Sequence, residues 1–332
     1  MNNRKLLSIA IPTYNRAEIL VDNLSSLVDI FLENALEDLI EIVVLNNASL
    51  DDTIELVNTF ISENPRVDIH LYSQKENVGV INSAIDLLSL SKYQYIMYLG
   101  DDDYICANYL KSVITLIQSN ANITCIIPSY QNITTSGEYV GIGRDINKKS
   151  QSFNEGFFSA YQNSWRGHQM SGIVYLRELI LSEHNKYKID NLYLWLFFVE
   201  VCSNNGTLHH ITEYPVLVTR PGQANKVWGY GDDGLIEHAF ENYKAYTAFN
   251  YVQRVLLQFK FLDEQYWRYA MYLKLGIGKF VKAIFKVVLG KNTLLVIRIL
   301  FPFAIPIIAI KKVIVFSVSG QLFQIINTKV DI

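Results

Sequence analysis

From Leu6 to about Pro128, short apolar runs alternate with amphipathic stretches, a pattern that predicts βα units laid into a mainly parallel sheet. Strands are expected at Leu6 to Ile11, Glu41 to Leu45, Val67 to Tyr72, Tyr93 to Leu99 and Ile123 to Ile127. Between them, Ala17 to Phe31, Asp52 to Glu63 and Val80 to Leu90 repeat Leu, Ile and Val at helical spacing, each long enough to cover one sheet face. A fourth helix is expected from about Ile105 to Ser119. Between Gln131 and Ser164 the pattern weakens into polar sequence rich in Asn and Gly, which predicts loops. A buried helix over Asn191 to Cys202 and a late strand over Pro215 to Thr219 follow, and no internal repeat is visible.

The pattern changes near Ala270. Lys274, Lys279, Lys282, Lys286 and Lys291 are interleaved with apolar residues, and an apolar run then extends from Thr293 to Ile310. A membrane-spanning helix needs about 20 apolar residues. Arg298 inside the run would cost roughly 2.5 to 3.5 kcal/mol at the bilayer centre, Pro302 and Pro306 interrupt it, and Lys311 and Lys312 close it early. The run therefore reads as an in-plane or re-entrant anchor, preceded by a basic amphipathic helix suited to anionic lipid. A helical subdomain packed on the rest of the chain, with solvated lysines, is the alternative. The division expected is a domain over 1–255, in halves 1–128 and 129–255, and a helical, membrane-associating segment over 256–332.

With 332 residues of which half are apolar, the chain can build a substantial core. A net charge of −3 supplies no global basic field, which argues against a dedicated nucleic-acid binder. Cys106, Cys125 and Cys202 lack the spacing of a zinc cluster or a disulfide framework, so a reducing, cytoplasmic setting is expected. Pro12 ends the first apolar stretch too early for a signal peptide.

Candidate chemistry gathers where strands are expected to end. Asp101, Asp102 and Asp103 follow the apolar run Tyr93 to Leu99 and Gly100 directly. Adjacent like charges cost on the order of 1 kcal/mol per pair even in water, so the triplet calls for a compensating cation or a capping duty. Open α/β sheets bind ligands beyond the carboxyl ends of their strands, and a divalent metal with a phosphorylated ligand fits there. The other reading makes Asp103 the N-cap of the next helix. The first strand ends in IPTYNR, where Pro12 breaks regular pairing and Thr13 can meet a flat base, or Asn15 can cap a helix. In VLNNASLDDT, Asn46 suits a base edge, whereas Ser49, Asp51 and Asp52 read as helix caps. In KENVGVINSA, Asn77, Gly79 and Asn82 stand at a helix start that favours phosphate.

The order of these segments, LLSIAIPTYNRAEIL, EIVVLNNASLDDT, ENVGVINSAI and YIMYLGDDDY, resembles the family-2 glycosyltransferases of the GT-A fold. The likeness is close over roughly the first 110 residues, looser to Arg220, and strongest to bacterial O-antigen and capsule sugar transferases. It implies an α/β nucleotide-binding fold and a metal-dependent transfer of sugar from a nucleotide-diphosphate donor. It further implies that Pro12, Thr13, Asn15, Asn46, Asn77, Gly79 and Asp101 contact the nucleotide sugar and that Asp102 and Asp103 meet Mg²⁺ or Mn²⁺, with Asp102 the best ligand. Asn46 replaces the aspartate usual in the family, and Gly100 stands where many members carry the first acid of Asp-x-Asp-Asp.

Inversion needs a base near the acceptor hydroxyl, and the resemblance assigns it to Asp190, just before NLYLWLFF, with Glu200 as runner-up. Asp190 also reads as a helix cap. His168, His209, His210 and Arg220 are further candidates for acceptor or diphosphate contacts. The expected acceptor is a lipid-linked glycan, met at the inner face of the cytoplasmic membrane. A retaining transferase on the same fold and a non-catalytic sugar-nucleotide-binding partner of a polysaccharide machine are the alternatives.

Overall fold

The computed structural model describes residues 5–141, 143–220 and 230–319; the tail of the expected C-terminal segment, 320–332, lies outside them. The N-terminal half alternates β1 (Leu7–Thr13), α1 (Ala17–Asn34), β2 (Ile40–Asn46), α2 (Thr53–Glu63), β3 (Ile69–Ser73), α3 (Gly79–Leu90), β4 (Tyr95–Tyr98), α4 (Ala107–Ser119) and β5 (Ile123–Ile133). Then come β6 (Gln151–Phe153), α5 (Phe157–Asn163), β7 (Val174–Leu176), α6 (Arg177–Tyr187), α7 (Leu194–Asn205) and β8 (Thr207–Thr219). Five helices follow: α8 (Ile236–Ala245), α9 (Tyr251–Glu264), α10 (Trp267–Lys274), α11 (Ile277–Leu289) and α12 (Leu295–Ser319).

All eight strands form one sheet in the order β3-β2-β1-β4-β7-β5-β8-β6. The pairs β1–β2, β2–β3, β1–β4 and β5–β8 are parallel, while β7 is antiparallel to both β4 and β5 and β6 is antiparallel to β8. Period-2 alternation sorts the strands between two cores. Leu7, Ile9 and Ile11, with Ile40, Ile42 and Val44, face Leu24, Phe31, Val57 and Val113 of α1, α2 and α4. Ala10, Val43 and Leu45 turn to the other side, toward Leu87 of α3, Ile180 of α6 and Phe197 of α7.

Several expectations are corrected. Helix α4 begins at Ala107, and its N-cap, Cys106, makes no side-chain cap, so Asp103 is not capping it. The late strand starts at Thr207 rather than Pro215, and Pro215 falls opposite the register shift between Pro128 and Tyr130 of β5, where a missing N–H breaks no regular ladder. Strands β6 and β7, of three residues each, carried no pattern long enough to read. The boundary at 255/256 falls inside α9. Nor is the C-terminal part a separate element: Val287, Leu294, Ile297, Phe301, Ile305 and Ile308 belong to the same apolar cluster as Tyr98 and Phe197. Arg298 spends its guanidinium on the carbonyls of Thr293 and Gly290, at 2.9 and 2.7 Å. Among the described residues, no helix is long and apolar enough to cross a membrane.

Candidate active site

Parallel strands deliver their last residues to one edge, and there β1, β2 and β4 bring the predicted segments together. Pro12 lies beyond the β1–β4 pairing, which ends at Ala10, so its missing N–H costs no ladder bond. The next residue, Thr13, donates from Oγ1 to Asp101 Oδ2 at 2.8 Å. Asn15 adopts φ 52°, and its Oδ1 accepts from Leu50 N at 2.7 Å while its own N–H donates to Ser49 Oγ at 2.8 Å. It is therefore a strut between the β1 and β2 turns and not the cap of α1. That capping bond comes from Asp51, whose Oδ2 accepts from Ala17 N at 3.1 Å, across 34 residues of chain.

Asn46 is buried, with Oδ1 accepting from Ser49 N at 2.9 Å and Nδ2 reaching Ser73 Oγ at 3.4 Å. Its amide oxygen keeps a second lone pair. Asn47, which the sequence reading passed over, is the hub of the next turn: Nδ2 donates to Asn77 Oδ1 at 2.9 Å and Oδ1 accepts from Val78 N at 2.9 Å. Asn77 Oδ1 also accepts from Gly79 N at 3.0 Å, and Gly79, at φ 83°, takes a conformation that an L side chain would strain. Asn82 instead bonds back to Val78 O, within its own helix.

The three acids are unequal. Asp101 is buried against Thr13 and takes Arg16 Nη1 on Oδ1 at 2.7 Å; the same nitrogen reaches Asp102 Oδ2 at 2.9 Å. Burial pushes Asp101 up to about 6 even beside that guanidinium. Arg16 is itself held above its ordinary value, because the two carboxylates outweigh its own burial. Asp102 is the most open of the three, with 17% of its side chain exposed.

Asp103 departs from its expected role as a metal ligand. Its Oδ2 accepts from Ser171 Oγ and from Gln169 Nε2 at 3.3 Å, and its Oδ1 accepts from Thr219 N at 3.0 Å. Burial and the neighbouring Asp102 push it up to about 7. Both oxygens are thus committed inward, tying β4 to the start of β7 and the end of β8. Thr219 Oγ1 adds a bond to Asp102 O. Gly100 makes the fold-back possible: its N–H donates to Ser171 Oγ at 3.0 Å, and a Cβ there would stand 3.0 Å from Asp103 Oδ2.

What could hold a cation here is the pair Asp101 Oδ1 and Asp102 Oδ2, which converge on one positively charged nitrogen. Hard carboxylate oxygens suit Mg²⁺ or Mn²⁺, so the donor set fits such an ion if Arg16 moves aside. A second group, Glu41, Asp68 and His70, has ligand atoms within 4.8 Å of one another. It lies at the opposite end of the strands, since Glu41 pairs with Ser8 near the start of β1, and Lys5 already meets Asp68 there. A depression of about 560 Å³ also lies off the site, between α4 and the β6–β8 edge, lined by Lys111, Ser152, His209 and Glu213 among others.

The candidate bases separate clearly. Asp190 is exposed in the link between α6 and α7. It does not cap α7, whose N-cap, Tyr193, makes no side-chain capping bond. The neighbouring Asn191 accepts on Oδ1 from Tyr193 N at 2.9 Å and donates from Nδ2 to Asn242 Oδ1 at 2.8 Å. Glu200 is fully buried in α7, and burial pushes it well above the usual carboxylate range, which removes it as a base for an acceptor. His168 stacks on Trp165 with ring centroids 6.0 Å apart and is kept neutral by burial and by Arg144 and Arg268. His209 bonds Ser152 Oγ, and His210 sits 3.3 Å from Asp145. That carboxylate anchors a buried group that no local motif announces, with Arg166 Nε at 2.6 Å and Arg144 Nε at 3.8 Å. Arg220 stands exposed beside Thr219, next to the triplet.

An acidic triplet beyond parallel strands, flanked by Asn-stitched turns and one arginine, defines an α/β domain whose polar side chains gather at the carboxyl edge of its sheet, where open α/β sheets receive ligands. The Glycosyl transferase family 2 model matches residues 8–180, just over half of the chain. The chain belongs to that family. It is 29% identical over 143 residues to a hyaluronan synthase of Pasteurella multocida, covering 43% of this chain but only 14% of that protein. It is 30% identical over 118 residues to the abequosyltransferase RfbV of Salmonella typhimurium, covering 36% of this chain and 34% of the relative. In fold it is similar to S. aureus TarS 1-349 in complex with UDP-GlcNAc, at TM-score 0.65 and 15% identity over 85% of this chain and 80% of that one. A mannosyltransferase of Pyrobaculum calidifontis with GDP-Man and Mn²⁺ superposes at TM-score 0.53 and 13% identity, over 85% and 74% of the two chains.

Proposed function

We propose that this chain transfers a sugar from a nucleotide-diphosphate sugar to a hydroxyl of a lipid-linked glycan during cell-surface polysaccharide synthesis, working at the cytoplasmic face of the membrane. The observation that carries the reading is the convergence of Asp101 and Asp102 on one cation position, beside the Thr13 turn and the Asn46 pocket. Family membership and relatives named as polysaccharide synthases and sugar transferases support the reaction class. Solved neighbours holding UDP-GlcNAc, or GDP-Man with Mn²⁺, support the donor class.

In this reading Asp102, with Asp101, would hold Mg²⁺ or Mn²⁺, which when bound would supply positive charge to the leaving diphosphate. Pro12, Thr13 and Asn46 receive the nucleoside, and the amide oxygen of Asn46 accepts from an N–H on the base edge. Asn77 and Gly79 shape the neighbouring turn, and Arg220 adds charge near the diphosphate. Asp103 acts as the strut that sets the other two acids, not as a ligand. The acceptor oxygen attacks the anomeric carbon as the bond to the diphosphate breaks, its proton passes to Asp190, and the configuration inverts. Asp190 suits this because it is exposed and spends no capping bond on α7. Product analysis with Asp190→Asn tests the step: a turnover loss of roughly 10²- to 10⁴-fold is expected, and near-normal turnover would point to a retaining route.

A further inference from the structure

Helices α11 and α12 present apolar residues to solvent on a face that nothing in the described chain covers. On α11 the exposed large apolar residues are Ile277, Val281, Phe285 and Leu289, and on α12 they are Leu295, Ile299, Leu300, Phe303 and Ile307. Leu300 aside, both sets recur at every fourth position, which aligns each as one stripe along its helix. Phe285 is 59% exposed and Phe303 73%, so both leave most of their side chain in solvent. These are not the residues that hold the helices in place. Ala283 and Val287 of α11, and Ile297, Phe301 and Ile305 of α12, are buried on separate faces, so each helix is apolar on two sides.

Charge identifies the occupant. Between Glu264 and Asp331 the sequence has no acidic residue, and it has ten Lys and Arg. On α11, Lys279, Lys282 and Lys286 are exposed and lie along the flank of its apolar stripe; Lys282 pairs with Asp232 at 3.1 Å, and Lys279 and Lys286 carry the charge that borders the apolar face. Apolar residues edged by lysines match the boundary between acyl chains and anionic headgroups. Where the two helices meet, Phe280, Ile284, Phe285, Pro302 and Ile305 line an apolar groove of about 220 Å³, room for a short length of hydrocarbon chain. Pro302 and Pro306 lie within α12, and Pro302 is exposed along the groove.

The geometry points to an in-plane docking face for an anionic lipid surface, formed by the outer stripes of α11 and α12, with the groove between them taking one lipid chain. This deepens the membrane-surface part of the function proposed above and rests on it. Its test uses no sugar nucleotide, so failure here leaves donor binding to be judged by itself.

The experiment is flotation of the full chain with vesicles of phosphatidylcholine alone and with roughly one quarter phosphatidylglycerol. The expected result is partition onto the anionic vesicles at least about tenfold stronger than onto the neutral ones. The double variant Phe285→Ser, Phe303→Ser should lose it with its melting temperature unchanged, because both residues are exposed. A double variant Lys279→Glu, Lys286→Glu, which leaves the Lys282–Asp232 pair intact, should remove the preference for anionic lipid. No flotation of the intact chain, flotation that survives the double variant, or burial of the face in a dimer that leaves vesicles unbound would each overturn the proposal.

Discussion

The strand edge and the outer face of α11 and α12 break the usual partition of residues in opposite directions. At the edge, charged side chains are buried: Asp101 and Asp103 are almost wholly covered, and Thr13, Ser171, Thr219 and Arg16 answer their oxygens. On the helices, Phe285, Phe303 and Ile307 stand in solvent with no described neighbour over them. Burying carboxylates costs stability unless they are paired, and exposing aromatics forgoes burial worth about 1.5 to 3 kcal/mol each. Neither arrangement is what folding alone would favour. In the function and docking face proposed above, something outside the chain completes each surface: a cation and diphosphate at one, lipid at the other.

The contrast breaks most sharply at Asp102, where a change should remove function and spare the fold. Asp102→Asn is expected to lower transfer by roughly 10²- to 10³-fold with little change in melting temperature. If it instead cost only a cap's worth of stability, about 0.5 to 2 kcal/mol, the triplet would be structural. Next in size is Phe301→Ala, on the buried face of α12, which should cost about 3 to 5 kcal/mol in denaturant unfolding. Asp103→Ala, which leaves Thr219 N without its acceptor, should cost about 1 to 3 kcal/mol.

A smaller effect is expected from pH. His210 titrates near 6.5 in the unfolded chain, and burial, helped by Arg166 and Arg144, holds it down to about 4 in the fold despite Asp145. Between those values the unfolded state holds the extra proton at His210, so this residue's contribution to stability should fall as pH drops from 6.5 toward 4, by at most about 1.4 kcal/mol per pH unit. Asp101 and Asp103, raised to about 6 and about 7, act with the opposite sign over much of that range. His210→Gln should therefore tilt the melting-temperature profile toward greater stability at acid pH; an unaltered slope would show that His210 contributes nothing to it. The smallest change belongs to Phe303→Ala, within about 0.5 kcal/mol in the same unfolding assay that penalises Phe301→Ala.

The long elements were legible because a period of 2 or 3.6 repeats several times within them, as in Ile40–Asn46 and Ala107–Ser119. The candidate site was legible as an order of segments, but not as a division of labour. Nothing local distinguishes Asp102 from Asp103; the difference comes from Ser171 and Thr219, 68 and 116 residues away from Asp103. The same is true of capping, where Asp51 serves α1 rather than its own neighbour alone and α7 begins without a side-chain cap. Arg16 stood in plain view within IPTYNR, yet its role depends on acids 85 and 86 positions on. The outer face of the last helices was half legible: lysine spacing suggested amphipathy, whereas only packing reveals that α12 keeps one apolar face inside and one outside.

The most direct measurement is a thermal-shift series with nucleoside diphosphate sugars, with and without Mn²⁺, on the intact chain and on Asp102→Asn. A ligand that binds only the folded state raises the melting temperature by mass action. The account predicts that at least one such sugar stabilises the chain, more strongly with Mn²⁺, and that the Mn²⁺ increment disappears in Asp102→Asn. Absence of stabilisation by any nucleotide sugar, or an increment that survives that substitution, would contradict it.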